Sequence, residues 1–174
     1  MAGADISLGT LERNWGMVDR ALDGLNDEVW NAQPNDQSNS IAWLLWHMTR
    51  VVDTFVNTRL RSETELWVQD GWHDKCGLGA HSGTGQGMSA ADIAAWQAPS
   101  REALTGYYEA VKGCAREFLG SMTDEDLAGT ITLPNNPEPR PKSDMLGTLV
   151  FDNAVPGGQI AYLRGYYGGL GWFV

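Results

Sequence analysis

The sequence predicts an all-α fold: a four-helix bundle with long connections and short extra helices, built as one domain over residues 1–174. Three observations predict it. The chain has 174 residues, 43% of them hydrophobic, which is the size and apolar content of a single core. Four long segments carry apolar residues at alternating spacings of three and four, the period of a helix buried along one face. The second and third connections between these segments are long, which suits a bundle better than a sheet.

The first helix shows Leu8, Leu11, Trp15, Val18, Leu22 and Leu25 in one seam. A turn opens at Asn26-Asp27, and the polar connector NAQPNDQSNS ends in Ser40, whose hydroxyl can cap the next helix. That second helix, IAWLLWHMTRVVDTFVNTRL, places Ile41, Leu44, Leu45, Met48, Val51, Val52, Phe55 and Val56 at helical spacing, with His47 bordering the stripe. Periodicity is lost from about Ser62 to Gly87, a glycine-rich stretch that reads as a lid or a crossover because of its length. Ser89 with Asp92 signals a capped short helix, and Pro99-Ser100 restarts the chain as a third long helix with Leu104, Tyr107, Tyr108, Val111, Cys114, Ala115 and Phe118 on one side. Thr123 with Asp126 caps a further short turn, and TITLPNNPEPRPK reads as a proline-rich connector with one short extended segment. The last helix is expected to start at Ser143 and to turn Leu146, Leu149, Val150, Ile160, Leu163 and Tyr167 inward.

Charge excludes whole classes of partner. A formal net charge of -10 and no local Lys/Arg cluster repel nucleic-acid phosphate and anionic lipid, so neither nucleic acid nor membrane is an expected partner. No apolar run approaches the roughly 20 residues that span a bilayer. The opening MAGADISLGT has no basic or apolar leader region, and a cytoplasmic location is the expectation. Two cysteines, Cys76 and Cys114, are too few and too far apart for a disulfide framework or a cysteine-rich zinc site. The glycines of GLGAHSGTGQG match no phosphate-loop pattern, and no serine or cysteine stands in a nucleophile context.

What remains is a small set of candidates. The three histidines are His47 on the second helix and His73 and His81 in the glycine-rich stretch; eight tryptophans are available as core anchors or pocket walls. The last helix holds the main anomaly: in FDNAVPGGQIAYLRG, Pro156, Gly157 and Gly158 oppose helix in the middle of a helical pattern.

Taken together, SIAWLLWHMTRVVD, VQDGWHDKCGLG, GTGQGMSAADIAAW and GQIAYLRG resemble the DinB-like superfamily, in particular its branch related to enzymes that use the thiols mycothiol or bacillithiol. The resemblance runs over nearly the whole chain. It implies an up-down-down-up four-helix bundle, often a homodimer. It also implies a divalent metal, zinc or nickel, held by a histidine of the second helix and by two residues four apart on the last. His47 falls on the first position, and Asp152 and Pro156 on the other two.

Pro156 has no ligand atom, so the resemblance points to an incomplete metal site made of His47 and Asp152, with no metal or a weakly bound one. Gln159 is a possible weak oxygen donor on the same side as Asp152, and His47 and Asp152 are also the candidate acid/base pair. Trp43, Trp46, Trp72, His73, Gln159 and Arg164 are the candidates for binding a small molecule or a low-molecular-weight thiol. Three functions follow: a small-molecule binder with a degenerate metal site, an active metal- and thiol-dependent transferase or isomerase, or a non-catalytic dimeric interaction protein. Pro156 is expected to kink or break the last helix, because a proline there deletes the donor that the carbonyl of Asp152 would receive.

Overall fold

The computed structural model describes residues 3–133 and 136–173. Its long helices are α1 (Gly3–Leu22), α3 (Ile41–Asp53, continued as a π-helical segment Thr54–Arg61), α7 (Arg101–Ser121) and α9 (Lys142–Gly168). Short helices fill the connections: α2 (Asp27–Trp30), α4 (Leu66–Gln69), α5 (Trp72–Lys75), α6 (Ala90–Ala95) and α8 (Asp124–Ala128). α1 packs on α9 and α7, and α3 packs on the same two, so the helices follow one another around the bundle as α1, α9, α3, α7.

The periodicity read from the sequence is the packing stripe. Leu11, Trp15 and Val18 of α1, Leu45, Met48 and Val52 of α3, Leu104, Tyr107 and Val111 of α7, and Met145, Leu149 and Ile160 of α9 are buried in one core. Each large apolar side chain taken out of water contributes about 1.5–3 kcal/mol, so this stripe supplies most of the driving force. Local signals agree with it. Ser40 accepts from the Trp43 backbone N–H, and both Ser89 with Asp92 and Thr123 with Asp126 form reciprocal capping boxes.

Three features differ from expectation. The connector after α8 forms a two-stranded hairpin, β1 (Thr130–Leu133) and β2 (Asn136–Pro141), paired antiparallel, and α9 starts at Lys142. The second long helix changes to i→i+5 geometry after Asp53 and ends at Ser62 in the left-handed region (φ 59°), whose N–H returns to the Asn57 carbonyl.

The expected break at Pro156 is absent: α9 continues through it. A proline removes one backbone bond of the ladder, while Leu149, Asn153, Gly157 and Ile160 are buried on either side of it and hold the helix axis against α1 and α3. Gly157 has its own cause. A Cβ there would overlap Asn14 Oδ1 and lie 2.8 Å from its Cγ. The glycine lets α1 approach, and the Asn14 amide then donates to the carbonyl and to Oδ1 of Asn153, both at 3.0 Å. Asn153 in turn donates to the Met48 carbonyl at 3.2 Å, so three helices meet through one satisfied buried network.

Candidate functional site

Along the α3–α9 seam the helices part to leave a cleft of about 400 Å³. α3 contributes His47, Val51, Phe55 and Arg59, α9 contributes Phe151, Asp152, Val155 and Pro156, and Thr84 and Gln86 close it from the glycine-rich stretch. That stretch is a strap across α3. Its turns use Gly71, Gly77, Gly83, Gly85 and Gly87 at positive φ. Gly85 is the tightest of them, at φ +85°, where a Cβ would come within 2.7 Å of the Trp46 ring and 2.8 Å of the Trp43 ring.

The strap fixes the imidazole. His47 Nδ1 lies 2.6 Å from the Thr84 carbonyl oxygen, which can only accept, so Nδ1 carries a proton and, in the neutral ring, Nε2 is the acceptor atom. Trp43 stacks on the other side of the ring, with centroids 5.0 Å apart and planes 9° from parallel. Orientation and tautomer are therefore both set before any ligand arrives.

A buried ionic cluster holds the strap in turn. Arg50, 3% exposed, donates to the Gly83 carbonyl at 3.0 Å, to Tyr107 at 3.1 Å and to Glu65 at 2.6 Å. Asp53, wholly buried, accepts from Asn57, from the Tyr107 hydroxyl at 2.6 Å, and from the backbone N–H groups of Leu66 and Trp67, which start α4. Burial works against the Arg50 charge, but Tyr107 and Glu65 outweigh it and hold its proton more tightly than usual. Burial and the Asp53 charge push the Tyr107 hydroxyl well above the usual phenol range. Neither Arg50 nor Asp53 is signalled by a motif, because their partners are backbone groups and residues far along the chain.

Arg59 is the other residue that sequence reasoning did not single out. It lines the cleft with its guanidinium over the Phe55 ring, 3.9 Å from the centroid. Burial lowers its proton affinity, while the charge of Asp152 acts in the opposite sense.

The structure brings together His47, Asp152 and Pro156, and it places the other candidates elsewhere. Trp43 supports His47 from behind. Trp46 is 1% exposed and packs in the core against Trp43 and Trp96. Trp72 lies over Gly106 and against Tyr107, and His73 faces Trp67 and Asp74, both away from the cleft. Gln159 lines a second cleft of about 490 Å³, next along the seam, with Asn35, Leu44, Tyr162 and Tyr166. Arg164 is half-buried against Gly168.

With this geometry in place, comparison with protein families matches residues 10–160 to the DinB superfamily. The chain belongs to the DinB superfamily. Among solved structures it is similar to a conserved protein from Enterococcus faecalis, with 23% identity and a TM-score of 0.83 over 98% of this chain and 99% of that one; the likeness is one of fold. No curated protein matches it. No helix among the described residues is long and apolar enough to cross a membrane.

In this DinB-superfamily chain the donor set of the cleft does not make a three-ligand metal site. His47 and Asp152 offer one nitrogen and one carboxylate, Pro156 beside them offers no ligand atom, and no three His, Cys, Asp or Glu side chains converge anywhere among the described residues. What the arrangement can do is accept or deliver a proton at His47 Nε2 beside a carboxylate and a guanidinium, in a partly apolar cleft.

Proposed function

We propose that this DinB-superfamily protein binds a polar small molecule in the α3–α9 cleft without a resident transition metal, and that His47 serves there as a positioned hydrogen-bond acceptor. The observation that carries the reading is the proline at the third ligand position, in a cleft whose histidine is nonetheless anchored on both sides. An imidazole locked by a backbone carbonyl and a stacked indole is organised for recognition, not left over as packing. Any proton transfer rests on Nε2 of His47, in a cleft that Asp152 also lines.

The test is metal content. After incubation with excess zinc or nickel and removal of the free ion, the wild-type chain is expected to retain well under one equivalent, and Pro156→His to retain about one, since it restores a nitrogen one turn after Asp152. One equivalent in the wild type, lost in His47→Ala together with thiol turnover, would overturn the proposal and favour the metal- and thiol-dependent transferase or isomerase. A second reading, a homodimer closing over this face, is supported by Phe151, Val155, Tyr162 and Tyr166, exposed in sequence along α9. A monomer at micromolar concentration in sedimentation would dismiss it.

A further inference from the structure

The polar groups around the cleft are mostly spoken for. Thr54 donates to Glu65 at 2.6 Å, Thr148 to the Asp144 carbonyl at 3.1 Å, and the Thr84 carbonyl accepts from His47. Two ionised groups are not committed: neither Arg59 nor Asp152 makes a hydrogen bond or ion pair with a described residue, although both line the same cleft. Of the 12 basic residues, Arg50, Arg61, Arg101, Lys112, Arg116 and Arg140 lie in ion pairs, and of the remainder Arg59 is the one that lines this cleft.

An unpaired cation and an unpaired anion facing one cleft, with Val51, Phe55 and Val155 as apolar wall, define a complementary ligand. A simple anion would meet Asp152 and a net charge of -10. A simple cation would compete with Arg59 for Asp152, the carboxylate of this cleft, and would meet the like charge of the guanidinium. A molecule carrying both signs satisfies both walls and has no net charge to be repelled.

We infer that the cleft takes a zwitterion of the amino-acid type, its carboxylate on Arg59, its ammonium on Asp152 and an apolar side chain between the phenyl and valine walls. This rests on the small-molecule reading above and names its ligand class. Arg59 suits the carboxylate because a guanidinium offers paired N–H donors in the plane a carboxylate needs, and its head is held over the Phe55 ring, 3.9 Å from the centroid. His47 Nε2 is left as an acceptor for a second N–H or for a hydroxyl on the ligand.

The experiment uses the full chain and the ring signals of His47 in NMR, assigned with His47→Gln. Four probes of the same shape are titrated: L-phenylalanine, N-acetyl-L-phenylalanine, L-phenylalaninamide and the doubly blocked N-acetyl-L-phenylalaninamide. The free amino acid is expected to bind at least about tenfold more tightly than each blocked form, the ratio one charged hydrogen bond confers. Arg59→Gln is expected to remove its advantage over the amide, and Asp152→Asn its advantage over the acetyl form, while circular dichroism confirms that both variants fold. If all four probes move His47 with equal affinity, the zwitterion assignment is overturned and the small-molecule cleft stands. If none does, the assignment is overturned as well, and the cleft reading then rests on the metal measurement alone.

Discussion

Adding a single methyl group at Gly157 should lower stability even though helix propensity says the opposite. Alanine is favoured over glycine in a helix interior by about 1 kcal/mol. At Gly157, however, the new Cβ would overlap Asn14 Oδ1 and lie 2.8 Å from Cγ and Nδ2, so the amide must leave. It then gives up both of its buried bonds to Asn153, about 2–3 kcal/mol. The balance is a loss of about 1–2 kcal/mol, or about 2–8 °C in Tm for a domain of this size.

The neighbouring Gly158 is exposed and a Cβ there meets nothing within 4 Å, so Gly158→Ala is expected to stabilise by about 1 kcal/mol. Urea unfolding followed by far-UV circular dichroism measures both. The sign should reverse at Gly157 once the obstacle is gone: in an Asn14→Ala background, Gly157→Ala is expected to stabilise. If Gly157→Ala raises the midpoint of the otherwise wild-type chain as Gly158→Ala does, the account of the α1–α9 contact is refuted.

Three further outcomes can be checked. Gly85→Ala combines left-handed backbone strain of about 1–2 kcal/mol with overlap on Trp43 and Trp46; it should destabilise by about 2 kcal/mol or more and shift the His47 ring signals, and unchanged signals would argue against the strap as its anchor. Arg50→Ala leaves the wholly buried Asp53 carboxylate uncompensated and should cost about 3–5 kcal/mol in chemical denaturation; a loss under 1 kcal/mol would show that the cluster is not what holds the strap. Burial pushes the Cys76 thiol up to about 11, so the unfolded chain gives up this proton first: stability should be intact below pH 9 and fall between pH 9 and 11, by about 2–3 kcal/mol in total. Cys76→Ala should show a shallower decline over that window, and an identical slope would contradict the shift.

The fold was legible because the stripe of Leu11, Trp15, Val18, Leu45, Met48 and Leu149 has one period and one destination, the bundle core. Of the cleft, the resemblance pointed to His47, Asp152 and Pro156, which the helices do bring to one place. The rest depends on relations a linear reading cannot hold. Asn14 and Asn153 are 139 positions apart, and nothing in either segment signals that Gly157 is small for the sake of Asn14. Arg59 faces the cleft from a π-helical segment whose phase an ordinary helical wheel does not give. Pro156 was expected to kink or break α9; the helix is not broken there, because tertiary burial on both sides outweighs one missing backbone bond.

The anchor of His47 is a main-chain carbonyl, and so is one of the three bonds that seat Arg50. Carbonyls do not change when a codon does. Thr84 and Gln86 can therefore be exchanged for other residues, altering the shape and chemistry of one cleft wall, while the orientation of the imidazole is inherited unaltered as long as the glycine turns persist. Such a division between a fixed imidazole and a freely variable rim gives a lineage room to change the cleft by single substitutions, without passing through forms that fail to fold.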